Sequence, residues 1–253
     1  MITKKELQEC AHLKGLSLGN AEKEYLIDMA LLSISNHTKN ELVFKGGTCL
    51  YKFHRLDRFS EDLDFSAITE INVKRLINSI IVDFEKFGIR VKNYRQKEPY
   101  QSLLVTLRIE GPLFTGKTQS YANLGIDINM KSQVYVEPEI LSYTPIYQEI
   151  PTIHALCMRK EEIFAEKVRA IMTRDKARDV YDLWFLVQKG IKADADLIEK
   201  KLEYYKMHFQ QEAFTNAIRQ KNKIWHNELK PLLRTVPSFT AVRQAISSAT
   251  ERR

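Results

Sequence analysis

Hydrophobic residues recur with the period of an α-helix near the start of the chain. Thr3 and Glu6 have the spacing of a capping box, and apolar residues repeat at helical intervals over residues 21–33. We therefore predict helices within residues 1–40. The next apolar run, residues 42–44, is short, which predicts a strand at residues 41–45 that ends at two glycines.

After the glycines, the pattern predicts a helix at residues 49–54 and a strand at residues 60–66. A longer amphipathic helix is predicted at residues 73–87, because its apolar residues share one face and Gly88 has the position of a C-terminal cap. Segments rich in β-branched or alternating apolar residues predict three further strands, at residues 89–95, 102–110 and 124–130.

Helical periodicity returns at Lys160 and continues to the end of the chain. The order of elements predicts an α+β fold, in which helices flank a mixed sheet and a bundle of helices follows. We place the boundary near residue 155. This divides the chain into an N-terminal domain of residues 1–155 and a C-terminal helical domain of residues 156–253.

The composition is that of a globular protein, with 44% hydrophobic residues in a chain of 253. No apolar stretch is long enough to span a bilayer, and the N-terminus lacks the apolar core of a signal peptide, so we expect a cytosolic protein. The three cysteines and six histidines form no metal-binding pattern. The net charge of +7 permits a polyanionic partner but does not identify one.

Two aspartates alternate with apolar residues in the predicted strand at residues 60–66. Because side chains alternate faces along a strand, Asp62 and Asp64 would share one face while their apolar neighbours enter the core. A half-buried strand with one wet face would also give this pattern. Adjacent carboxylates repel each other unless a cation lies between them, however, and oxygen ligands suit Mg²⁺ or Mn²⁺. Asp127, on another predicted strand, would complete a cluster of three carboxylates if the two strands were neighbours.

The glycine turn before this strand has features of a phosphate-binding loop. Gly46 and Gly47 would let backbone N–H groups approach a phosphate closely, and Thr48 would add a hydroxyl at the start of the following helix. A glycine pair alone is a weak signal. The order of glycine turn, helix and acidic strand is a more specific one.

The stretch KGGTCLYKFHRLDRFSEDLDFS resembles the nucleotidyltransferase superfamily, and more narrowly the AbiEii-type nucleotidyltransferase toxins of prokaryotic toxin–antitoxin and abortive-infection systems. This resemblance implies a sheet of the nucleotidyltransferase type. It also implies Asp62, Asp64 and Asp127 as catalytic metal ligands. The resemblance implies that six residues of the same stretch bind the nucleotide: Lys45, Gly46, Gly47, Thr48, Arg58 and Ser60.

A second stretch, EEIFAEKVRAIMTRDKARDVYDLWFL, predicts two amphipathic helices whose charged residues adjoin the apolar faces. Two helices with solvated charges and a local ion pair, either Arg178 with Asp182 or Lys167 with Asp179, would also explain the pattern. The run is similar to the second signature of the same toxin family. That likeness implies that Lys167 grips the triphosphate and that Arg174 and Arg178 help to neutralise it. It leaves open whether Asp179 or Asp182 positions Lys167 or the substrate.

Residues 111–118, GPLFTGKT, match the Walker A pattern letter for letter. That motif requires a helix that begins at its Lys-Thr end. The following residues are few, resemble a turn and lead directly into the strand of Asp127, so we predict a hairpin loop instead.

The resemblance as a whole implies a metal-dependent enzyme that transfers a nucleoside monophosphate from an NTP to an RNA hydroxyl, with a tRNA 3′ end as the expected acceptor and Mg²⁺ or Mn²⁺ as cofactor. It also implies a cognate antitoxin protein as partner. Two alternatives remain at this point: transfer to a protein hydroxyl, and a catalytically inactive module that binds a partner.

Overall fold

The computed structural model describes residues 1–98, 102–131 and 133–250, and its internal contacts divide the chain into two units. The N-terminal unit consists of Met1–His54, Ser60–Gln133 and Pro138–Cys157. The C-terminal unit consists of Arg55–Phe59, Val134–Glu137 and Met158–Arg253. The sequence pattern predicted a single division and did not reveal the two short segments, 55–59 and 134–137, that belong to the later unit.

Four helices and seven strands form the described part of the N-terminal unit. The helices are α1 (Lys4–Lys14), α2 (Leu18–His37), α3 (Gly46–His54) and α4 (Val73–Lys86). The strands are β1 (Leu42–Lys45), β2 (Leu63–Ala67), β3 (Arg90–Lys97), β4 (Ser102–Glu110), β5 (Ala122–Asn129), β6 (Glu139–Tyr143) and β7 (Ile153–Cys157).

The seven strands form one mixed sheet in the order β3-β4-β5-β2-β1-β7-β6. The pairs β2–β5 and β1–β7 are parallel, and the other neighbours are antiparallel. This architecture confirms the predicted mixed sheet with flanking helices. The strands β6 and β7 were not predicted, because each is only five residues long and they lie in a stretch interrupted by prolines.

Local sequence signals account for the first helices. The Thr3 hydroxyl accepts a hydrogen bond from the Glu6 amide, and the Glu6 carboxylate accepts one from the Thr3 amide, which confirms the predicted capping box. Gly15 then ends α1 in the left-handed conformation. The helix α2 packs against β5 and β7, and α4 packs against α2 and β3.

Two element boundaries differ from the prediction at the acidic motif. The helix α3 begins at Gly46, so the glycines form its first turn rather than a separate loop before it. The strand β2 begins at Leu63, so Asp62 directly precedes the strand and Asp64 lies within it. The C-terminal cap of α4 is Phe87, and Gly88 follows it with a φ of 74°.

The described part of the C-terminal unit contains six helices. They are α5 (Lys160–Thr173), α6 (Ala177–Gln188), α7 (Ala195–Glu203), α8 (Gln211–Gln220), α9 (Asn222–Leu229) and α10 (Phe239–Thr250). The helix α5 packs against α6, α7 and α8, while α6 also packs against α9 and α10. This confirms the predicted helical bundle. Within the described residues, no helix combines the length and apolar character that crossing a bilayer requires.

Candidate active site

Asp64 and Asp127 lie side by side on neighbouring parallel strands. The register of β2 and β5 pairs Asp64 with Asp127, and the residues on either side of each aspartate are buried in the core. Both aspartates are half-buried and lie on the opposite face of the sheet, as the alternation of side chains requires. Neighbouring strands are about 4.8 Å apart, so the two aspartates are direct neighbours across the sheet.

Asp62 approaches the same face from the segment before β2. A β-carbon built on Gly125 would lie 3.2 Å from Oδ1 of Asp62, so this carboxylate lies over a glycine of β5. Gly125 is two residues before Asp127, and its missing side chain leaves room for the acid. Sequence reasoning did not single out Gly125, although a glycine inside a strand pattern often marks such a close approach.

Gly46, the first residue of α3, lies directly against the side chain of Asp64. Its φ of 75° lies in the left-handed region, and a β-carbon at this position would be 2.3 Å from Oδ2 of Asp64. The Asp64 carboxylate therefore lies against the beginning of α3. A helix N-terminus carries unpaired N–H groups and a partial positive charge, which favour an anion at this place.

The remaining residues of the glycine motif connect α3 with the acidic strand. The Thr48 hydroxyl is fully buried, donates to the Asp62 carbonyl oxygen at 2.5 Å and lies 2.9 Å from the Ser60 hydroxyl. Gly47 is buried in the first turn of α3. Lys45 is also buried, and the register of β1 and β2 pairs it with Asp64. Thr48 thus fixes the backbone at Asp62, whereas nucleotide binding by Thr48 and Ser60 stays a prediction.

The donors at this site fit a divalent cation in their chemistry. Asp62, Asp64 and Asp127 offer only oxygen atoms, and Gly46 and Gly125 leave the space that two of these carboxylates occupy. Among residues 1–98, 102–131 and 133–250, no three Asp, Glu, His or Cys side chains are grouped closely enough to hold a metal on their own. Mg²⁺ usually takes one or two carboxylates and completes its shell with water and substrate phosphates. The assignment of the three aspartates as metal ligands stays a prediction.

The C-terminal unit gathers most of the second motif into a buried charge cluster. Lys167 on α5 lies 2.9 Å from Asp179 and 2.6 Å from Asp182, both on α6. Arg58 donates to both carboxylate oxygens of Asp182, at 2.6 and 2.7 Å. Arg174 donates to both oxygens of Asp179, at 2.7 and 2.8 Å. We call these five residues the α5–α6 charge cluster.

Electrostatics keep the two aspartates of this cluster ionised. Burial by itself would raise the pKa of Asp179, but Lys167 and Arg174 more than offset burial and hold that pKa well below its usual range. Burial opposes ionisation of Asp182 in the same way, and Arg58 and Lys167 lower its pKa. The three cations and two anions leave one positive charge, and the Arg174 side chain is 48% exposed.

The structure distinguishes the predicted cations of the second motif by their surroundings. Arg58 and Lys167 are buried among the acids of the cluster, whereas Arg174 reaches solvent. Arg178 lies half-buried on α6. Both aspartates contact Lys167, so each of them positions this lysine. Sequence reasoning missed the pairing of Arg58 with Asp182, because the two residues are 124 positions apart.

The Walker-like stretch lies in the connection between β4 and β5. These two strands are antiparallel and pair Ile109 with Ala122, so the stretch between them is a hairpin loop, as predicted. After Lys117 there is only a single turn of 3₁₀ helix, Thr118–Ser120. Within the described residues 111–129, no α-helix follows Lys117, and the chain passes from the 3₁₀ turn into β5.

Comparison with known proteins agrees with this geometry. The sequence model of the AbiEii family, described as nucleotidyl transferase toxins of type IV toxin–antitoxin systems, matches residues 30–248. The fold is similar to that of MenT4, a nucleotidyltransferase toxin of Mycobacterium tuberculosis, with a TM-score of 0.73 and 17% identity over 99% of this chain and 89% of that one.

A second similar structure is JHP933 from Helicobacter pylori, with a TM-score of 0.59 and 20% identity over 92% of this chain and 91% of that one. Comparison of the sequence with curated proteins gives no significant match. At these identities the solved structures bear on the fold alone, whereas the family match extends over both units of the chain.

Proposed function

We propose, from the premise that this chain belongs to the AbiEii family of nucleotidyltransferase toxins, that it transfers a nucleoside monophosphate from an NTP to a hydroxyl group of RNA and releases pyrophosphate. The chain is a nucleotidyltransferase of a type IV toxin–antitoxin system. The metal dependence and the RNA acceptor are the parts that we propose here.

The observation that carries the proposal is the pairing of Asp64 with Asp127 beside the glycine at the start of α3. Two carboxylates on adjacent strands, next to a helix N-terminus, can bind divalent cations and a polyphosphate at one place. A surface acid on an ordinary sheet would need neither the glycine at position 46 nor the glycine at position 125.

In the proposed step, the oxygen of the acceptor hydroxyl attacks the α-phosphorus of the NTP. A new phosphorus–oxygen bond forms, the bond from the α-phosphorus to the bridging oxygen of the β-phosphate breaks, and pyrophosphate leaves. The proton of the hydroxyl passes to the carboxylate of Asp127, which acts as general base. The N–H groups of Gly46 and Gly47 orient the phosphates.

Asp62, Asp64 and Asp127 would hold Mg²⁺ or Mn²⁺. When bound, the divalent cation supplies positive charge that lowers the pKa of an attacking oxygen and stabilises the leaving pyrophosphate. Thr48 supports this arrangement by donating to the carbonyl oxygen of Asp62, and the Ser60 hydroxyl lies beside the Thr48 hydroxyl.

For the α5–α6 charge cluster we propose that Arg174 contributes positive charge to the triphosphate. Its side chain is 48% exposed, while Lys167 and Arg58 are buried. In this proposal Asp179 orients both Arg174 and Lys167, because it accepts hydrogen bonds from both. Arg58 acts through Asp182 as a positioning residue, and Arg178 remains a predicted phosphate contact.

The basic surface supports RNA as the acceptor. The chain has a net charge of +7 and an isoelectric point near 9.1, which favour a polyanionic partner. The resemblance to the toxin family suggests a tRNA 3′ end in particular, and membership of a type IV toxin–antitoxin system implies an antitoxin partner. We also propose a cytoplasmic location, because the proposed substrates, NTPs and RNA, are found there.

A labelling experiment tests the proposal. The protein is incubated with Mg²⁺, with either total RNA or total protein, and with each of the four NTPs in turn, labelled at the α-phosphate. We expect label in RNA from one or a few of the NTPs, together with release of pyrophosphate. Label found only in protein would replace the RNA acceptor with a protein hydroxyl. NTP turnover that is unaffected by Asp64→Ala would instead favour the inactive partner-binding module.

A further inference from the structure

The face of the sheet that carries the aspartates continues sideways onto β4 and β3. Across the register, Asp127 on β5 is opposite Leu104 on β4, and Leu104 is opposite Lys97 on β3. One step along, Thr106 lies between Gly125 and Arg95 in the same way. Because paired residues of adjacent strands share a face, Lys97 and Arg95 lie on the same side of the sheet as the candidate active site.

Each set of residues paired across β5, β4 and β3 forms one row of this face, and the third row also contains a basic residue. Arg108 on β4 lies between Asn123 on β5 and Asn93 on β3. Together the rows form a groove of about 460 Å³, which Gln119 and Tyr121 also line. We call Arg95, Lys97, Arg108 and the side chains between them the basic sheet face.

The cations of this face are not neutralised by neighbouring acids. Arg95 and Lys97 are exposed, and Arg108 is half-buried. Within the described ranges of the chain, no carboxylate oxygen lies within 4 Å of any of these three side chains, whereas many of the other basic residues are paired. The acid on the same side of β4 is Glu110, at the far end of the strand, where Arg90 lies 3.8 Å from it.

Arg108 is held in a fixed orientation. Its guanidinium lies 4.3 Å from the centre of the Tyr121 ring and donates to the Thr118 carbonyl oxygen at 3.1 Å. The Tyr121 ring in turn contacts Phe114, with a distance of 4.6 Å between the ring centres. Phe114 and Thr118 belong to the Walker-like hairpin loop, so this loop serves to orient Arg108 rather than to bind a nucleotide.

We propose that the basic sheet face binds the RNA strand whose terminal hydroxyl is the acceptor at Asp64 and Asp127. This inference rests on the proposed function. Three strand spacings separate β2 from β3, which amounts to about 14 Å and spans a few nucleotides of an extended strand. The strand would therefore run across β5, β4 and β3 from the aspartates toward Lys97, Arg95 and Arg108.

The composition of the face favours a single-stranded nucleic acid over a protein acceptor. Two guanidinium groups and an ammonium group match backbone phosphates, and the amides of Asn93, Gln119 and Asn123 can donate to or accept from bases and riboses. A protein segment would instead favour apolar anchor sites at the centre of the contact. Of the groove's lining, Leu104 and the Tyr121 ring are the main apolar groups.

Binding of an RNA oligonucleotide to catalytically inactive protein tests the proposal. All variants carry Asp64→Asn, so that the RNA is bound without being modified. The probe is a fluorescein-labelled single-stranded RNA of about 12 nucleotides with a free 3′ hydroxyl, which matches usual single-strand site sizes. The test variant is Arg95→Ala/Lys97→Ala. The matched control, Lys5→Ala/Lys74→Ala, removes the same charge from exposed positions on α1 and α4.

We expect the test variant to raise the Kd for RNA about tenfold and to reduce the slope of log K against log salt concentration by about 1.4, since each lost contact with a single strand contributes about 0.7. The control should retain the Kd and the salt slope. Binding of a non-hydrolysable NTP analogue to the test variant should be unchanged. Circular dichroism and the thermal midpoint of unfolding should show that every variant is folded.

An unchanged RNA affinity and salt slope in the test variant would overturn the proposal. Weaker binding of the NTP analogue, with unchanged binding of RNA, would also overturn it and would assign the face to the triphosphate. Failure of the proposed function is a separate outcome: a wild-type protein that binds RNA through this face but releases no pyrophosphate would contradict the catalysis and leave the binding face intact.

Discussion

Gly46 and Asp64 are packed so closely that a β-carbon on the glycine would lie 2.3 Å from Oδ2 of the aspartate. The same β-carbon would lie 3.1 Å from both Cβ and Cγ of Asp64, which is tighter than ordinary packing. Gly46 also has a φ of 75°, a region that residues with a side chain adopt only at a cost. The position therefore requires glycine for two independent reasons, and one of them is the placement of a carboxylate.

Gly46→Ala is expected to impair catalysis more than stability. The added methyl group meets the end of a flexible side chain, so Asp64 can move away, and the left-handed backbone costs about 1–2 kcal/mol. A displacement of about 1 Å in a reacting group lowers kcat/KM by about 100-fold. Steady-state kinetics of pyrophosphate release and urea unfolding measure the two effects.

Gly19→Ala is the matched control, because it lies in α2 and a β-carbon there would meet nothing within 4 Å. It should keep wild-type kinetics and be as stable as the wild type or slightly more so. Full activity of Gly46→Ala would show that the contact with Asp64 has no part in catalysis.

Arg58→Met is expected to destabilise the protein strongly. Arg58 is 2% exposed and forms a bidentate ion pair with the fully buried Asp182. The substitution removes this partner and leaves the buried carboxylate paired with Lys167. Removing one member of a buried ion pair costs about 3–5 kcal/mol. The control, Arg90→Met, removes an exposed arginine that lies 3.8 Å from Glu110 and should cost at most about 1 kcal/mol. Urea titration measures both free energies, and equal losses would contradict the structural role of Arg58.

The α5–α6 charge cluster predicts acid sensitivity. Lys167 and Arg174 hold the pKa of Asp179 below its unfolded value of about 3.8. The unfolded state then binds more protons near and below pH 4, so the free energy of unfolding falls as the pH falls. Asp179→Asn removes this term, so its free energy of unfolding should fall less between pH 4 and pH 3 than that of the wild type.

Asp28 in the N-terminal unit contributes to stability with the opposite sign. Burial raises its pKa to about 6, although the ammonium of Lys52 opposes the shift. The contribution of Asp28 to the free energy of unfolding therefore falls as the pH rises from about 4 to about 6. The free energies of unfolding of Asp179→Asn and the wild type should therefore be compared below pH 4, where Asp28 is protonated in the folded state of both proteins. If the free energy of unfolding fell equally between pH 4 and pH 3 in Asp179→Asn and the wild type, the result would contradict the ionisation assigned to Asp179.

Lys117→Ala tests the interpretation of the Walker-like stretch. Lys117 lies in the hairpin loop between β4 and β5, so its loss should leave the KM for NTP within about twofold of the wild-type value. In a phosphate-binding loop of the Walker type, by contrast, the lysine contacts the β- and γ-phosphates. A variant whose KM rose by about 100-fold would restore the nucleotide-binding interpretation.

Local patterns revealed the parts of the site that are close in sequence. The glycine turn, the following helix and the Asp64 strand could be predicted because each is encoded by a few adjacent residues with a distinct period. Their pairing with the strand of Asp127 was a conditional expectation, and the parallel register of β2 and β5 fulfils it.

Long-range pairings were beyond the sequence pattern. The partner of Arg58 is 124 positions away, and no local signal links an arginine to a buried aspartate on a distant helix. The basic sheet face was missed for a similar reason: Arg95, Lys97 and Arg108 share a face only through the register of β3 and β4, which includes an irregularity between Val91 and Asn93. Without that register, the three residues read as ordinary surface charges.

The central claim is that Asp64 and Asp127 act together in metal-dependent nucleotide transfer, and pyrophosphate release from NTP with RNA and Mg²⁺ measures it most directly. We expect Asp64→Asn and Asp127→Asn each to lower the rate by at least about 1,000-fold, and chelation of Mg²⁺ to abolish it until Mn²⁺ or Mg²⁺ is restored. Glu70→Gln, which removes an exposed carboxylate of the same unit, should keep the wild-type rate. A folded Asp64→Asn variant that released pyrophosphate at the wild-type rate would contradict the claim.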